Sequence, residues 1–239
     1  MEELEQLIIG YRPTAETVQL VRRTRLALLA GISGAGKDTI KRRLLQDSAF
    51  RDIVSHTTRA PRTNNGKPEQ NGLDYHFIDH ATAAQMLHNH AFIEAKFVHG
   101  TVYGTSVAEL QAAHDEGRVA MTDVDVQGVA EYKALSPEST AIFVVPPDYA
   151  TWMTRLKSRY ASEDEFIAEW PKRRTSSIKE LTDALTVPYY HVIINDDLDR
   201  SVRVVREIIE RGDVFNRKDD EARLVARNLL ERITAEAID

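Results

Sequence analysis

The sequence predicts an α/β fold built on a parallel sheet. Three observations carry this: four short apolar runs recur along the chain, three of them lead into segments with helical apolar spacing, and the first run ends in a glycine-rich loop. "RLALLAGI" (25–32) is the first strand, and "KDTIKRRLLQ" after it puts Ile40, Leu44 and Leu45 on one helical face. "VAMTDVDV" (119–126) is the second, followed by a helix from about Val129. "AIFVVPP" (141–147) is the third, terminated by Pro146 and Pro147. "HVIIND" (191–196) is the fourth, running into the helical "DRSVRVVREIIERG", with Gly212 as its stop. Residues 53–105 differ in texture: "DIVSHTTR", "DYHFID" and "FIEAKFV" are short β-like pieces between polar turns, which predicts a small mixed-sheet insertion. Residues 148–185 read as two helices rich in Arg, Lys and Glu that can act as a lid. At the ends, "TAETVQLVRR" (14–23) and "DEARLVARNLLERI" (220–233) have helical spacing and pack on the core or on a partner chain.

Composition narrows the function. At 239 residues and 42% hydrophobic the chain can bury a substantial core, and a net charge of −6 argues against nonspecific nucleic-acid or membrane binding. There is no cysteine, which excludes disulfides, thiolate metal sites and thiol catalysis. The start "MEELEQLII" is acidic where a signal peptide is basic, and no apolar run reaches the length of a membrane span. The expectation is a cytoplasmic enzyme, monomeric or homodimeric.

The loop "GISGAGKD" (31–38) matches G-x-x-x-x-G-K-[ST] except at its last position, where an acid replaces the hydroxyl. Lying between a buried strand and a helix, it aims backbone N–H groups and the positive helix end at one point, as phosphate binding requires. Gly31, Ser33, Gly34, Ala35, Gly36, Lys37, Asp38 and Thr39 are the expected ATP contacts, with Lys37 reaching the β and γ oxygens. Asp38 either ligates Mg²⁺ in place of the hydroxyl or only caps the helix. Asp123, at the end of the second strand, is the other expected metal-proximal acid, and strand alternation puts Asp125 on its side.

At "SHTTRAPR" (55–62), "DYHF" (74–77), "FIEAKFVHGTVYGTS" (92–106), "DVDVQG" (123–128) and "NDDLD" (195–199) the chain resembles the guanylate kinase family, from about Arg25 to Glu210. The resemblance implies transfer of the ATP γ-phosphate to GMP or dGMP with Mg²⁺. It also implies a P-loop NTPase-type sheet core, an inserted mixed-β subdomain that binds the nucleoside monophosphate, and a helical lid. The expected organisation is an N-terminal helical extension (1–24), a kinase domain (25–211) and a C-terminal helical extension (212–239). Within the domain the core is 25–53, 113–147 and 186–211, the insertion 54–112 and the lid 148–185.

The residue types suit that chemistry. Arg59 and Arg62, three apart with Pro61 between them, can turn two guanidinium forks onto one monophosphate, and Tyr75 and Tyr103 add phenolic donors. Guanine offers a 6-carbonyl acceptor and donors at N1 and N2, so a carboxylate plus a hydroxyl reads it. By resemblance those are Glu94 and Ser55, with Thr105 and Asp125 as further contacts and Asn195 near the adenine. Arg155 and Arg159 share a helical face, and Arg173 lies in "KRRTSSIKEL", similar to a lid segment of the family. With Lys37 these arginines are the expected catalytic cations, because phosphoryl transfer depends mainly on charge neutralisation.

The chain also departs from the family. Asp38 replaces a hydroxyl, "TNNGKPEQNGL" (63–73) is a longer loop in which the place of Glu69 is open, His56 stands where a serine is common, and the terminal helices are additional. The alternatives are a kinase of a related phosphorylated substrate, such as ribose 1,5-bisphosphate, and a non-catalytic guanylate kinase-like binding module.

Overall fold

A computed structural model describes residues 2–64, 67–98, 100–212 and 217–236. The elements begin with α1 (Glu2–Gly10), α2 (Ala15–Arg23), β1 (Leu26–Ala30), α3 (Lys37–Leu44), β2 (Phe50–Asp52), β3 (His56–Thr57), β4 (Thr63–Asn64) and β5 (Lys67–Pro68). They continue with β6 (His76–Phe77), α4 (His80–His88), β7 (Phe92–Val98), β8 (Thr101–Ser106), α5 (Val107–Asp115), β9 (Val119–Asp123) and α6 (Val126–Leu135). The last are β10 (Thr140–Val145), α7 (Tyr149–Lys157), α8 (Glu163–Thr186), β11 (Tyr190–Ile194), α9 (Leu198–Arg211) and α10 (Arg217–Ala235). The chain forms two compact units, the first Met1–Leu26, Ser48–Thr122 and Lys133–Glu138, the second Ala27–Asp47, Asp123–Tyr132 and Ser139–Asp239.

In the second unit β1, β10 and β11 pair in parallel, with Ala27 opposite Thr140 and Ala141 opposite Tyr190. All five residues of β1, and Ala141–Val145 of β10, are buried. A strand covered on both faces needs a continuous apolar run, which is why these strands are readable as such. Arg206 on α9 pairs with Asp47 at 2.6 Å, and Gly212 ends α9 as its C-cap. Helix α10 packs on α7, α8 and β11 within this unit. Arg174 holds its last turn, donating to the Ile233 and Thr234 carbonyls at 2.9 Å each.

In the first unit β2 and β9 pair in parallel, Phe50 opposite Val119. A separate mixed sheet has the order β6-β3-β8-β7, with β7 and β8 antiparallel and β7 at the edge. Helix α1 drives Leu4 into a cluster with Ala83, Leu87, Phe92 and Val102, so this helix helps form the core of the mixed-sheet region. Helix α2 packs on α5.

Two sequence expectations need correction. Helix α6 starts at Val126 rather than near Val129, and Asp125 stands just before it. The Asp125 carboxylate accepts the Gly128 N–H at 2.6 Å, and its carbonyl accepts that of Val129 at 3.0 Å. Asp125 therefore caps a helix and does not continue the alternation of β9, which ends at Asp123. The sequence reading also misses β2, α1, α4 and α5 as separate elements. Among the described residues no helix is long and apolar enough to cross a membrane. Asn65, Gly66 and His99 lie outside the described residues.

Candidate active site

The phosphate loop lies in the second unit. Gly36 is the N-cap of α3 in the left-handed region (φ 92°), where a side chain is strained. A Cβ there would also stand 2.2 Å from Nδ2 of Asn195. That amide donates to the Ala35 carbonyl at 2.9 Å, so buried Asn195 latches the loop from the end of β11. Gly31 (φ 148°) lets the end of β1 approach β10, since a Cβ would meet the Val144 carbonyl oxygen at 2.4 Å. From α7, fully buried Trp152 donates through Nε1 to the Ser33 carbonyl at 2.8 Å.

Beside the loop an open pocket of about 430 Å³ is lined by Gly34, Gly36, Lys37, Asp38, Thr39, Arg42, Arg155, Arg159, Asn195, Asp196 and Leu198. Asp38 sits in the first turn of α3, whose N-cap is Gly36, so this acid does not cap the helix. Its side chain is 53% exposed, 3.6 Å from Lys37 Nζ and 3.9 Å from Arg159 Nη2. Arg159 also donates to Ser33 Oγ at 3.1 Å, and Arg155 to the Asn195 carbonyl at 2.9 Å. Arg173 is not among the residues lining this pocket. It donates to Tyr160 Oη at 2.9 Å and lies 3.9 Å from Glu169.

Asp123 stands where β9 ends, and the next residue, Val124, donates its N–H to the Leu29 carbonyl of β1 at 3.0 Å. Lys41, one helical turn after Lys37, donates to Asp123 Oδ1 at 2.7 Å. Burial pushes the Asp123 carboxyl up, but the charge and hydrogen bond of Lys41 and the charge of Lys37 outweigh it and hold the group below its ordinary value. Asp123 is thus an anion beside the loop lysine. Glu180 on α8 behaves oppositely. Burial raises its carboxyl although Ser176 donates to it at 2.7 Å and Lys37 attracts the charge, and Asp125 adds to the rise. Sequence reasoning missed Lys41 and Glu180; the four-residue spacing from Lys37 was the available signal for Lys41.

The other expected contacts lie in the first unit. Glu94 on β7 is the cross-strand partner of Thr105 on β8, and buried Thr105 donates to Glu94 Oε1 at 2.8 Å. Between Phe92 and Glu94 the register shifts: two steps along β7 match one along β8, which is a bulge. The Arg59 guanidinium lies 5.1 Å from the centre of the Tyr75 ring, and Tyr75 and Tyr103 meet edge to face at 6.2 Å. Glu69 clamps Arg59 bidentately at 2.6 and 3.0 Å and accepts the Arg62 backbone N–H at 2.7 Å. The hydrogen bonds from Arg59 hold the Glu69 carboxyl below its ordinary value, and the same pairing raises the guanidinium. The place of Glu69, open in the sequence, is therefore at the root of both arginines, while the Arg62 side chain is exposed. Ser55 is half-buried before β3, its carbonyl accepting the His76 N–H at 2.9 Å. Of the eight expected GMP contacts, seven gather in this unit and Asp125 lies in the other.

Comparison with known proteins identifies the family. The family profile described as guanylate kinase matches residues 23–212. A guanylate kinase of Bdellovibrio bacteriovorus is 34% identical over 189 residues, covering 79% of this chain and 97% of the relative. That of Thiobacillus denitrificans is 36% identical over 179 residues, 74% of this chain and 81% of the relative. Guanylate kinase 1 of rice is 34% identical over 196 residues, which is 81% of this chain and half (50%) of the longer rice protein. In fold, the crystal structure of guanylate kinase from Anaplasma phagocytophilum aligns with a TM-score of 0.57 at 24% identity, over 82% of this chain and 90% of that one. The chain belongs to the guanylate kinase family.

Proposed function

We propose that this chain transfers the γ-phosphoryl group of ATP to GMP or dGMP, giving ADP and GDP or dGDP, with the residues above in the following roles. The observation that carries the reading is the Glu94 carboxylate, fixed by Thr105 at 2.8 Å in the unit that also holds Arg59 on Tyr75. A carboxylate held this way accepts from guanine N1–H and N2–H, while adenine offers it no matching pair of donors. Ser55 donates to the 6-carbonyl, and Arg59, Arg62, Tyr75 and Tyr103 bind the acceptor's phosphate.

In the other unit the loop N–H groups and Lys37 cradle the β and γ phosphates of ATP. Arg155, Arg159 and Arg173 offset charge on the moving group, Arg159 being already within reach of the loop at Ser33. The acceptor oxygen attacks the γ-phosphorus, the bond to the β,γ-bridging oxygen breaks, and ADP leaves. Asp38 and Asp123 fit magnesium. Carboxylate oxygens suit a hard divalent cation, and exposed Asp38 together with Asp123, kept ionised by Lys41 and Lys37, would supply them. When bound, that ion would offset negative charge on the ATP phosphates.

The test is ADP formation from ATP with GMP, dGMP, AMP and ribose 1,5-bisphosphate offered separately. Turnover with the guanine nucleotides at least 10³-fold above AMP, on the order expected of a site built on polar groups, is the expected result. Equal rates with AMP, or turnover confined to the sugar phosphate, would overturn it.

A further inference from the structure

We propose that Tyr11, in the N-terminal segment that precedes the family match, is a positioning residue for guanine recognition, acting through the backbone of Phe92 on Glu94. The proposal rests on the reading of Glu94 as the guanine-binding carboxylate. Strand β7 is the edge of its sheet, so residues on its open side have main-chain groups with no neighbouring strand. At Phe92 the Tyr11 hydroxyl takes the place of that strand. It donates to the Phe92 carbonyl at 2.5 Å and accepts the Phe92 N–H at 3.1 Å, satisfying both main-chain groups of one residue. Burial pushes the Tyr11 phenol up, against the pull of its bond to Phe92, so the hydroxyl keeps its proton near neutrality.

Phe92 is also where the bulge begins. An extra residue on one strand re-aims the side chains that follow it, and the first of these paired across to β8 is Glu94. The direction of the Glu94 carboxylate therefore depends on two anchors, Thr105 across the sheet and Phe92 at the start of the bulge. The segment before Phe92 is held from the same side: His90, the one non-glycine residue with positive φ (51°) among those described, donates from Nδ1 to the Arg12 carbonyl at 3.2 Å. Leu7, Ile8 and Tyr11 pack on the cluster formed by Leu4 and Phe92, so α1 delivers the hydroxyl on a fixed base. Losing the hydroxyl leaves that base in place and frees only the Phe92 peptide groups.

Tyr11→Phe is compared with the native chain and with Glu94→Gln, using GMP and inosine monophosphate, which keeps the 6-carbonyl and N1–H but lacks the 2-amino group. In Tyr11→Phe the KM for GMP is expected to rise roughly three- to tenfold, the size of one weakened hydrogen bond between Glu94 and guanine. The KM for ATP and kcat should stay within about twofold, and the preference for GMP over inosine monophosphate should fall by less than the KM for GMP rises, because inosine monophosphate keeps the N1–H donor to Glu94 and loses only the 2-amino contact. Phe92 amide hydrogen exchange should accelerate by about tenfold or more. Faster exchange with unchanged GMP kinetics would overturn the positioning role, and unchanged exchange would overturn the hydrogen bond itself. If Glu94→Gln leaves the KM for GMP where it was, the reading of Glu94 fails, and the role of Tyr11 with it. If Glu94→Gln raises it while Tyr11→Phe does not, only the present inference fails. Should Tyr11→Phe not fold, exchange in the native chain with and without GMP decides: a Phe92 amide that gains protection when GMP binds upholds its coupling to the guanine site, and one that is unprotected or that GMP leaves unchanged overturns the proposal.

Discussion

Asp38 stands where a phosphate loop ordinarily carries a hydroxyl, and replacing it separates a metal-binding role from a structural one. With its side chain 53% exposed and its cationic neighbours at 3.6 and 3.9 Å, its ion pairs contribute little to folding, about 0–1 kcal/mol each. Asp38→Ala should therefore unfold within about 2 kcal/mol of the native chain. Near bound ATP the same carboxylate repels phosphate, by as much as about 4 kcal/mol at 4 Å in an effective dielectric of 20. Its removal should thus lower the KM for ATP. If the carboxylate ligates magnesium, kcat of Asp38→Ala should fall by a factor on the order of 10², about 2.7 kcal/mol of lost stabilisation, so kcat and KM fall together. Asp38→Ser should keep turnover within a few-fold while shifting the preference between magnesium and manganese. The assay is kcat and KM across a titration of each metal, alongside calorimetric binding of ATP with and without metal. Equal turnover in all three chains at every metal concentration would refute the reasoning and leave Asp38 as an acid that merely favours the helix N-terminus.

Two further predictions concern the first unit. In a double-mutant cycle of Glu94→Gln and Thr105→Val read out on kcat/KM for GMP, the 2.8 Å bond between them should appear as coupling of about 1–2 kcal/mol; additivity within roughly 0.3 kcal/mol would deny that Thr105 orients the carboxylate. His56 is pushed down to about 4 by burial and by His76 beside it, although Glu109 acts the other way, so the folded chain takes up fewer protons there than the unfolded chain with its ordinary value of 6.5. Stability should accordingly fall as pH drops from about 6.5 to about 4, and denaturant midpoints should show a shallower slope in His56→Gln; identical slopes would contradict the assignment.

What could be read from the sequence follows from the range of the interactions. The four buried parallel strands are continuous apolar runs and the phosphate loop is a fixed local spacing, so both are visible within a dozen residues. Helix α4, "HATAAQMLH", is alanine-rich with few large apolar residues to mark a face, and it passes unnoticed. The misplacement of Asp125 came from extending strand alternation two residues beyond the end of β9, where the carboxylate had already become a helix cap. Glu69 reaches Arg59 ten positions back in the chain, and Tyr11 reaches Phe92 over 81; no local pattern encodes either. The chemistry-bearing residue types were legible, whereas the groups that hold them in place were not.

The indole that ties helix α7 to the phosphate loop gives the chain an internal optical reporter. Of its two tryptophans, Trp152 is hydrogen-bonded to Ser33 and Trp170 lies 5.9 Å from it, ring centre to ring centre. Tryptophan emission from this chain, excited at wavelengths its eight tyrosines do not absorb, therefore originates at one spot on helices α7 and α8. A change in its intensity or wavelength when ATP is added would follow the environment of that spot in real time, with no dye attached and no residue replaced.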